Sequence, residues 1–388
     1  MTGGRRRVAL VFPACHRRGG VERVVREHAR RLAQDHDVTF VGWELDPTDL
    51  DAIDFVEVDQ PPSGLPGRVV PSEVWFRRAA GRAVDAGGFD VVVSFGANCP
   101  PGDVLVVQSV HQAWLRSSGS IPTKVGSVPA ATRFVMPQHL ALLAMERTYF
   151  RSARPARVLA CSDRTGREVV DLYGVPPERV GTMFNGYDAA EFNLDVRARD
   201  REPTRRRAGI GAGDVAILFV ANELHRKGFA TLIEAVAGVG EESVHIHVVG
   251  RVDGEAYQRR VEELGLGDRV HWHGPQADVA EWYAAGDLFV LPTQYEPFGN
   301  VIVEALATGL PVVTTAIAGA SSAVLPDVNG FLQTDATDAG ELQRLLRTAL
   351  DPATLGRLQA GATTGVERFE WDRLTTVLDG AIRAVGAA

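Results

Sequence analysis

Short apolar runs alternate along this chain with longer stretches in which apolar residues recur three and four positions apart. The runs at 8–12, 38–41, 91–95, 104–108 and 158–162, and again at 215–220, 244–249 and 288–291, carry almost no polar residue. Strands buried on both faces read this way, so the pattern predicts parallel sheets covered by helices. After the first run, Val21, Val24, Val25, His28 and Leu32 fall on one helical face, predicting a helix to about Gln34. Helices are likewise predicted over 341–350 and 373–385. The most informative unit is 288–315. It reads as a buried strand (288–291), a loop carrying Glu296, a helix over about 300–308 stopped by Gly309 and Pro311, and a second buried strand.

A chain of 388 residues exceeds one ordinary core, so two domains are expected. Two stretches look irregular: 51–71, rich in Pro, Gly and acid apart from a strand candidate at 55–58, and the polar, arginine-rich 189–213, which reads as a hinge. Cys15, Cys99 and Cys161 are too far apart for a zinc spacing and odd in number, which points to a reducing cytoplasm. No signal peptide is apparent, and no apolar window approaches the roughly 20 residues of a membrane span. The net charge of −8 argues against nucleic acid as the main partner. That acidity belongs to the second half, and 116–157 is instead basic and apolar, with Glu146 its one acid. Such a stretch suits peripheral contact with anionic lipid at the inner membrane face, or equally an arginine-rich helix whose apolar side is core.

In parallel sheets ligands bind beyond the carboxyl ends of strands, and Glu296-Pro297-Phe298-Gly299-Asn300 occupies such an end. Gly299 permits close backbone approach, the free amides of the following helical turn suit a diphosphate, and Glu304 lies about one turn inside that helix. Arg226 and Lys227 follow the strand at 215–220, where cations balance charge developing on a leaving group. Gly19-Gly20 ends the loop after the first strand, and His111 follows the strand at 104–108. The glycine loop is not GxGxxG, which weakens the case for a dinucleotide-dependent oxidoreductase, and each feature alone is also compatible with a plain turn or a structural histidine. The pairs His245/His247 and His271/His273 have no cysteine or carboxylate cluster beside them, and Asp35/Asp37 and Asp49/Asp51 adjoin no other site feature. A metal site is therefore not expected.

The loop Glu296 to Asn300 and the Glu296-x7-Glu304 spacing closely resemble the signature of family 4 of the retaining glycosyltransferases, which have the GT-B fold. Gly19-Gly20-Val21-Glu22-Arg23, Thr182 to Asp188 with its Asn185-Gly186, and Phe369 to Asp372 resemble further family segments, so the likeness spans most of the chain. It implies an α/β protein of two Rossmann-like domains facing a cleft: an acceptor domain over 1–189, a nucleotide-sugar domain over 190–368, and a final helix over 369–388 returning to the first. Catalytic roles then fall on Glu296 (donor sugar), Lys227 and Arg226 (donor phosphates) and His111 (sugar or departing phosphate). Donor-binding roles fall on Gly19, Gly20, Phe298, Gly299, Asn300, Val301 and Glu304, the last holding ribose hydroxyls. One departure is Ala221-Asn222, where the commoner family pattern has Gly-Arg. The arginine here directly precedes Lys227, as in proteins resembling lipopolysaccharide-core transferases. The implied reaction is metal- and cofactor-independent transfer from a nucleoside-diphosphate sugar, UDP-sugar favoured, to a hydroxyl of a glycan, lipid or small metabolite. A nucleotide-sugar epimerase or a non-catalytic sugar-nucleotide binder are the alternatives.

Overall fold

The computed structural model describes residues 4–17, 19–61, 72–117, 121–123, 126–128, 136–152, 154–251 and 255–386. The chain divides into two compact units, Met1–Asn185 with Trp371–Ala388, and Gly186–Glu370. The division follows the reciprocal amide pair in which Gln108 and Asn185 each donate to the other, at 3.0 and 2.7 Å.

The first unit is built on a parallel sheet in the order Val180–Thr182, Arg157–Ala160, Val104–Val107, Val91–Phe95, Arg7–Val11, Asp37–Gly42, Ile53–Glu57. The predicted strands recur within a residue or two. From Arg7–Val11 the order runs outward in both directions, so the carboxyl end of that strand is a topological switch point. The edge strand Ile53–Glu57 takes up part of the stretch read as irregular, and 62–71 lies outside the described residues. Helix Ser72–Gly87 had no periodic signal strong enough to predict it, because only Phe76, Ala79 and Ala80 of its side chains are fully buried.

The last helix, Trp371–Ala384, completes this unit. Trp371, Leu374, Leu378 and Ile382 pack into the core with Val24, Val25, Ala29 and Leu32 of helix Val21–Leu32. Polar contacts fix its register. The Arg6 guanidinium donates to the carbonyls of Ile382, Arg383 and Val385 at 2.9, 2.9 and 2.7 Å, satisfying the orphan acceptors of the helix end. His36 Nε2 lies 2.7 Å from Asp379 Oδ1 and Arg31 Nε donates to Asp372 Oδ1 at 2.5 Å. His28, wholly buried and edge-on to Trp371 at 5.4 Å, pairs with Thr375 Oγ1 at 3.0 Å. Burial, helped by the Arg31 charge, pushes its pKa down to about 3, so it is neutral in the folded protein.

The second unit has a parallel sheet in the order Val270–Gly274, Val244–Val249, Val215–Val220, Leu288–Leu291, Val312–Thr315, Gly330–Gln333. Its switch point lies between Val215–Val220 and Leu288–Leu291, where the loops that follow diverge. The arginine-rich stretch read as a hinge is largely a helix, Leu194–Ala208, capped by the Asn193 side chain accepting from the Val196 amide at 2.9 Å. Polarity misled the reading. Arg197, Arg201 and Arg205 fall four apart on one face and donate to carbonyls at the end of helix Ala280–Ala285, while Arg201 and Arg205 also pair with Asp287. Arginine forks thus do the packing that apolar residues do elsewhere.

Two outcomes test the docking of the last helix. Trp371→Ala should lower unfolding stability by about 3–5 kcal/mol in urea titration, the cost of a large buried aromatic. Unfolded His28 takes up a proton near pH 6.5, whereas the folded residue does so only near pH 3. Its contribution is therefore full above about pH 6.5 and is lost as pH falls through that window. The urea midpoint should drop from pH 6.5 to 4, less steeply in His28→Gln.

Candidate active site

Two loops meet at the switch point of the second unit. The loop after Val215–Val220 leads through Arg226, Lys227 and Gly228 into helix Phe229–Val239. The loop after Leu288–Leu291 carries Thr293 to Gly299 into helix Asn300–Ala307. They are joined through the backbone: the Arg226 carbonyl accepts from the Gln294 amide at 2.9 Å and the Thr293 hydroxyl at 3.2 Å. Gly228 is required at the crossing, since it sits at φ +79° and a Cβ there would lie 1.9 Å from the Pro292 carbonyl oxygen. Lys227 Nζ is consequently bonded directly to Glu296 Oε2. Arg226 donates to the Tyr295 carbonyl at 2.6 Å and lies 3.7 Å from the same carboxylate oxygen. The unusual Asn222 has another task, its Oδ1 accepting from the Arg251 amide at 2.9 Å.

The Glu296 loop is braced from its far side. Its carbonyl accepts from the Gly319 amide at 2.9 Å, and that of Phe298 from the Ala320 amide at 2.8 Å. Gly319 belongs to the small-residue turn at 317–321, which packs directly on this loop: a Cβ on Gly319 would stand 1.9 Å from the Pro297 carbonyl oxygen. Gly299, at φ +98°, turns the chain into the helix, and the half-exposed Asn300 and Val301 place first-turn amides there that the helix itself cannot satisfy. Phe298 is buried near Phe369, with ring centroids 6.0 Å apart. Glu304, 4% exposed, accepts from the Tyr283 hydroxyl at 3.0 Å. Tyr283, Gly228, Thr293 and Gly319 carry no sequence motif. Of these, only the glycines had a signal, as breaks between strand and helix.

Glu296, Lys227, Arg226 and the Phe298 to Val301 turn therefore come together, with Glu304 on the same helix. Gly19, Gly20 and His111 belong to the other unit. Gly19, at φ +97°, precedes Gly20, the N-cap of helix Val21–Leu32, and a Cβ on Gly20 would meet nothing within 4 Å. His111 opens helix His111–Ser117, its ring 3.1 Å from His139 Nδ1 and stacked on Trp114 with centroids 5.5 Å apart. Burial, and then the His139 neighbour, push its pKa down to about 4, so it is a neutral imidazole at pH 7. Sequence reasoning missed Glu146. It is a buried carboxylate accepting from the His111 and Gln112 amides at 2.5 and 3.2 Å and from the Tyr173 hydroxyl, and burial raises its pKa. The single acid of the basic stretch thus anchors the backbone of His111. In that stretch Leu143, Met145, Tyr149 and Phe150 of helix Pro137–Phe150 are core while Met136 and Leu140 are exposed. Lys124, Arg133 and Phe134 lie outside the described residues.

The four strand histidines form a ladder of hydrogen-bonded rings. His245 bonds His271 and His247 bonds His273, each at 3.0 Å, with neighbouring rings stacked. Burial first, then neighbouring rings, push His247 to about 3 and His273 to about 4, so both are neutral at pH 7. Among the described residues no three His, Cys, Asp or Glu side chains converge as for a metal ion, and no helix is long and apolar enough to cross a membrane.

Residues 18–191 match the model of Glycosyltransferase Family 4, and residues 214–351 that of Glycosyl transferases group 1. D-inositol 3-phosphate glycosyltransferase 1 of Catenulispora acidiphila is 30% identical, over 94% of this chain and 91% of its own length. Other proteins named D-inositol 3-phosphate glycosyltransferase match over little more than half of theirs. Among solved structures, WaaG, a glycosyltransferase involved in lipopolysaccharide biosynthesis, superposes with TM-score 0.81 at 21% identity, covering 97% of this chain and all of that one. Anabaena Alr3699/HepE in complex with UDP and glucose superposes with TM-score 0.74 at 20% identity, covering 97% and 99%. The expected GT-B fold of two parallel-sheet α/β domains is thereby established.

The bracing of the Glu296 loop makes a direct prediction. In Gly319→Ala the new Cβ collides with backbone rather than with a yielding side chain, so the loop must shift, at about 1–3 kcal/mol in chemical unfolding. Gly356→Ala, whose Cβ would meet nothing within 4 Å, is the control and should leave stability unchanged or higher.

Proposed function

The chain belongs to family 4 of the glycosyltransferases, and from that premise we propose that it moves a sugar, with retention and without a metal ion, from a nucleoside-diphosphate sugar to an acceptor hydroxyl. The observation that carries this reading is the Lys227–Glu296 pair with Arg226 beside it, set at a switch point against the Gly299 turn. One carboxylate and two cations at a helix start match what the donor presents: hydroxyls on the sugar, negative charge on the diphosphate.

In this reading the diphosphate takes the Asn300 and Val301 amides together with Lys227 and Arg226. Lys227 exchanges its bond to Glu296 for a phosphate oxygen, and Glu296 turns to accept from sugar hydroxyls. As the glycosidic bond breaks, charge grows on the leaving phosphate, where both cations and the helix amides stabilise it. The acceptor hydroxyl adds to the anomeric carbon on the face the phosphate leaves, passing its proton to that phosphate, so no protein base is required. Glu304, oriented by Tyr283, receives the ribose hydroxyls. The roles expected of Gly19, Gly20 and His111, and the division into an acceptor and a donor domain, belong to the same proposal. A UDP-sugar is the favoured donor, in keeping with the UDP and glucose bound by HepE. Relatives named for inositol phosphate and for lipopolysaccharide keep a small metabolite, a glycan and a lipid within the acceptor class. These relatives are transferases, which leaves the epimerase reading without a comparable footing.

Thermal-shift and calorimetric titration with UDP, GDP, ADP, dTDP and their sugars tests the donor site. One diphosphate series should stabilise the wild type, and Glu304→Ala should bind it at least tenfold more weakly. Lys227→Ala should lose phosphate affinity while still distinguishing the bases. Equal binding by wild type and Glu304→Ala would remove the ribose role.

A further inference from the structure

The first unit contains a second feature that the transfer reaction does not use. Helix Ser72–Gly87 turns Phe76, Ala79 and Ala80 to the core, and the adjoining face carries Arg77, Arg78, Arg82 and Asp85 along a groove of about 650 Å³. Pro100, Met145 and Arg154 form part of its other wall. That volume is in the range of small-molecule sites. Its place in the fold is also distinct. Asp85 and Arg154 lie shortly before strands Val91–Phe95 and Arg157–Ala160, whereas Arg77 reaches the Ala97 carbonyl just past the carboxyl end of Val91–Phe95, so the groove runs along the helix. Gly19, Gly20 and His111 are not among its lining residues.

Charge is strongly unbalanced there. Four arginines line the groove against one carboxylate, Asp85, and among the described residues only Arg154 of the four pairs with an acid, Asp103, at 3.6 Å. Arg78 and Arg82, both exposed, make no hydrogen bond or ion pair among the described residues. Arg77 is half-buried over the Tyr149 ring, 5.6 Å from its centroid, and reaches only the carbonyls of Ala97 and Met145, each at 3.4 Å. Burial disfavours its charged form. A partly buried guanidinium without a counter-ion is costly unless an anion supplies one. Two free guanidinium forks four residues apart on one helical face, next to a third held in place by the protein, suit an acceptor with several oxygens rather than a single carboxylate.

We propose that this groove is a second anion site, taking a phosphomonoester or diphosphate group whose apolar portion rests on Val74, Val84, Pro100 and Met145. Arg78 and Arg82 grip the phosphate oxygens and Arg77 supplies the fixed charge at the base.

The test is calorimetric titration of the full chain with inorganic pyrophosphate in a Lys227→Ala background, which weakens the donor site, together with flotation on phosphatidic acid and phosphatidylcholine vesicles. Pyrophosphate should bind, at least tenfold more weakly once Arg78→Gln and Arg82→Gln are added, and severalfold more tightly in Asp85→Asn. The melting temperature should be unchanged, because the altered side chains have no partners to lose. Should flotation on phosphatidic acid, rather than pyrophosphate binding, disappear in the double variant, the site holds and its phosphate is a lipid headgroup. If neither ligand responds to Arg78→Gln/Arg82→Gln, and Asp85→Asn gains nothing, the proposal is overturned.

Discussion

The ion pair between Lys227 and Glu296 depends on a single topological fact: Val215–Val220 and Leu288–Leu291 are neighbours in space although 67 residues separate their ends in sequence. Two loops leave this crossing in opposite directions, and each brings one member of the pair. The remaining local structure serves to hold the loops together. The Arg226 carbonyl takes two donors from the other loop, Gly228 lets the backbone approach Pro292, and Gly319 lets the next turn lie against Pro297. Backbone contacts have few soft degrees of freedom, so the charged side chains start from a defined geometry.

Burial makes the pair consequential. Glu296 is 8% exposed and Lys227 has little more access to water, so neither charge is well solvated without the other. The pair keeps its carboxylate and cation mutually neutralised. In the proposed reaction a diphosphate would replace Glu296 as the partner of Lys227 with a group of the same sign, an exchange less costly than desolvating a bare lysine, and Glu296 would then be released to accept from sugar hydroxyls. Arg226 is held independently of the pair by the Tyr295 carbonyl and Glu223.

Much of this was legible in the sequence because its causes are local. Apolar runs marked the inner strands of both sheets to within a residue or two but not the edge strands Val180–Thr182, Val270–Gly274 and Gly330–Gln333, and Glu296-Pro297-Phe298-Gly299-Asn300 with Glu304 marked the switch-point loop. Lys227 and Arg226 were likewise readable from their place after a strand. What escaped has non-local causes. Tyr283 is an ordinary buried aromatic until the fold brings it to Glu304, and Glu146 looked like a stray acid in a basic stretch until it met the amides of His111. Helix Leu194–Ala208 reads as a hinge because its packing face is arginine, whose partners at the end of helix Ala280–Ala285 lie 80 or more residues away. Polarity is a guide to exposure only when the polar groups have no protein partner to find.

The same reasoning separates the two groups of arginines in this chain. Arg197, Arg201 and Arg205 are spaced four apart and end on carbonyls and Asp287, so their charge is used up within the fold. Arg78 and Arg82 have the same spacing and end on nothing among the described residues. Sequence periodicity cannot distinguish them, since both are arginines repeated at helical pitch. The distinction is whether a complementary acceptor sits opposite, and for Arg78 and Arg82 the space opposite is a groove. Helix Ser72–Gly87 buries one large side chain, Phe76, beside Ala79 and Ala80, and like charges four apart on its outer face repel one another, a repulsion that an anion would relieve.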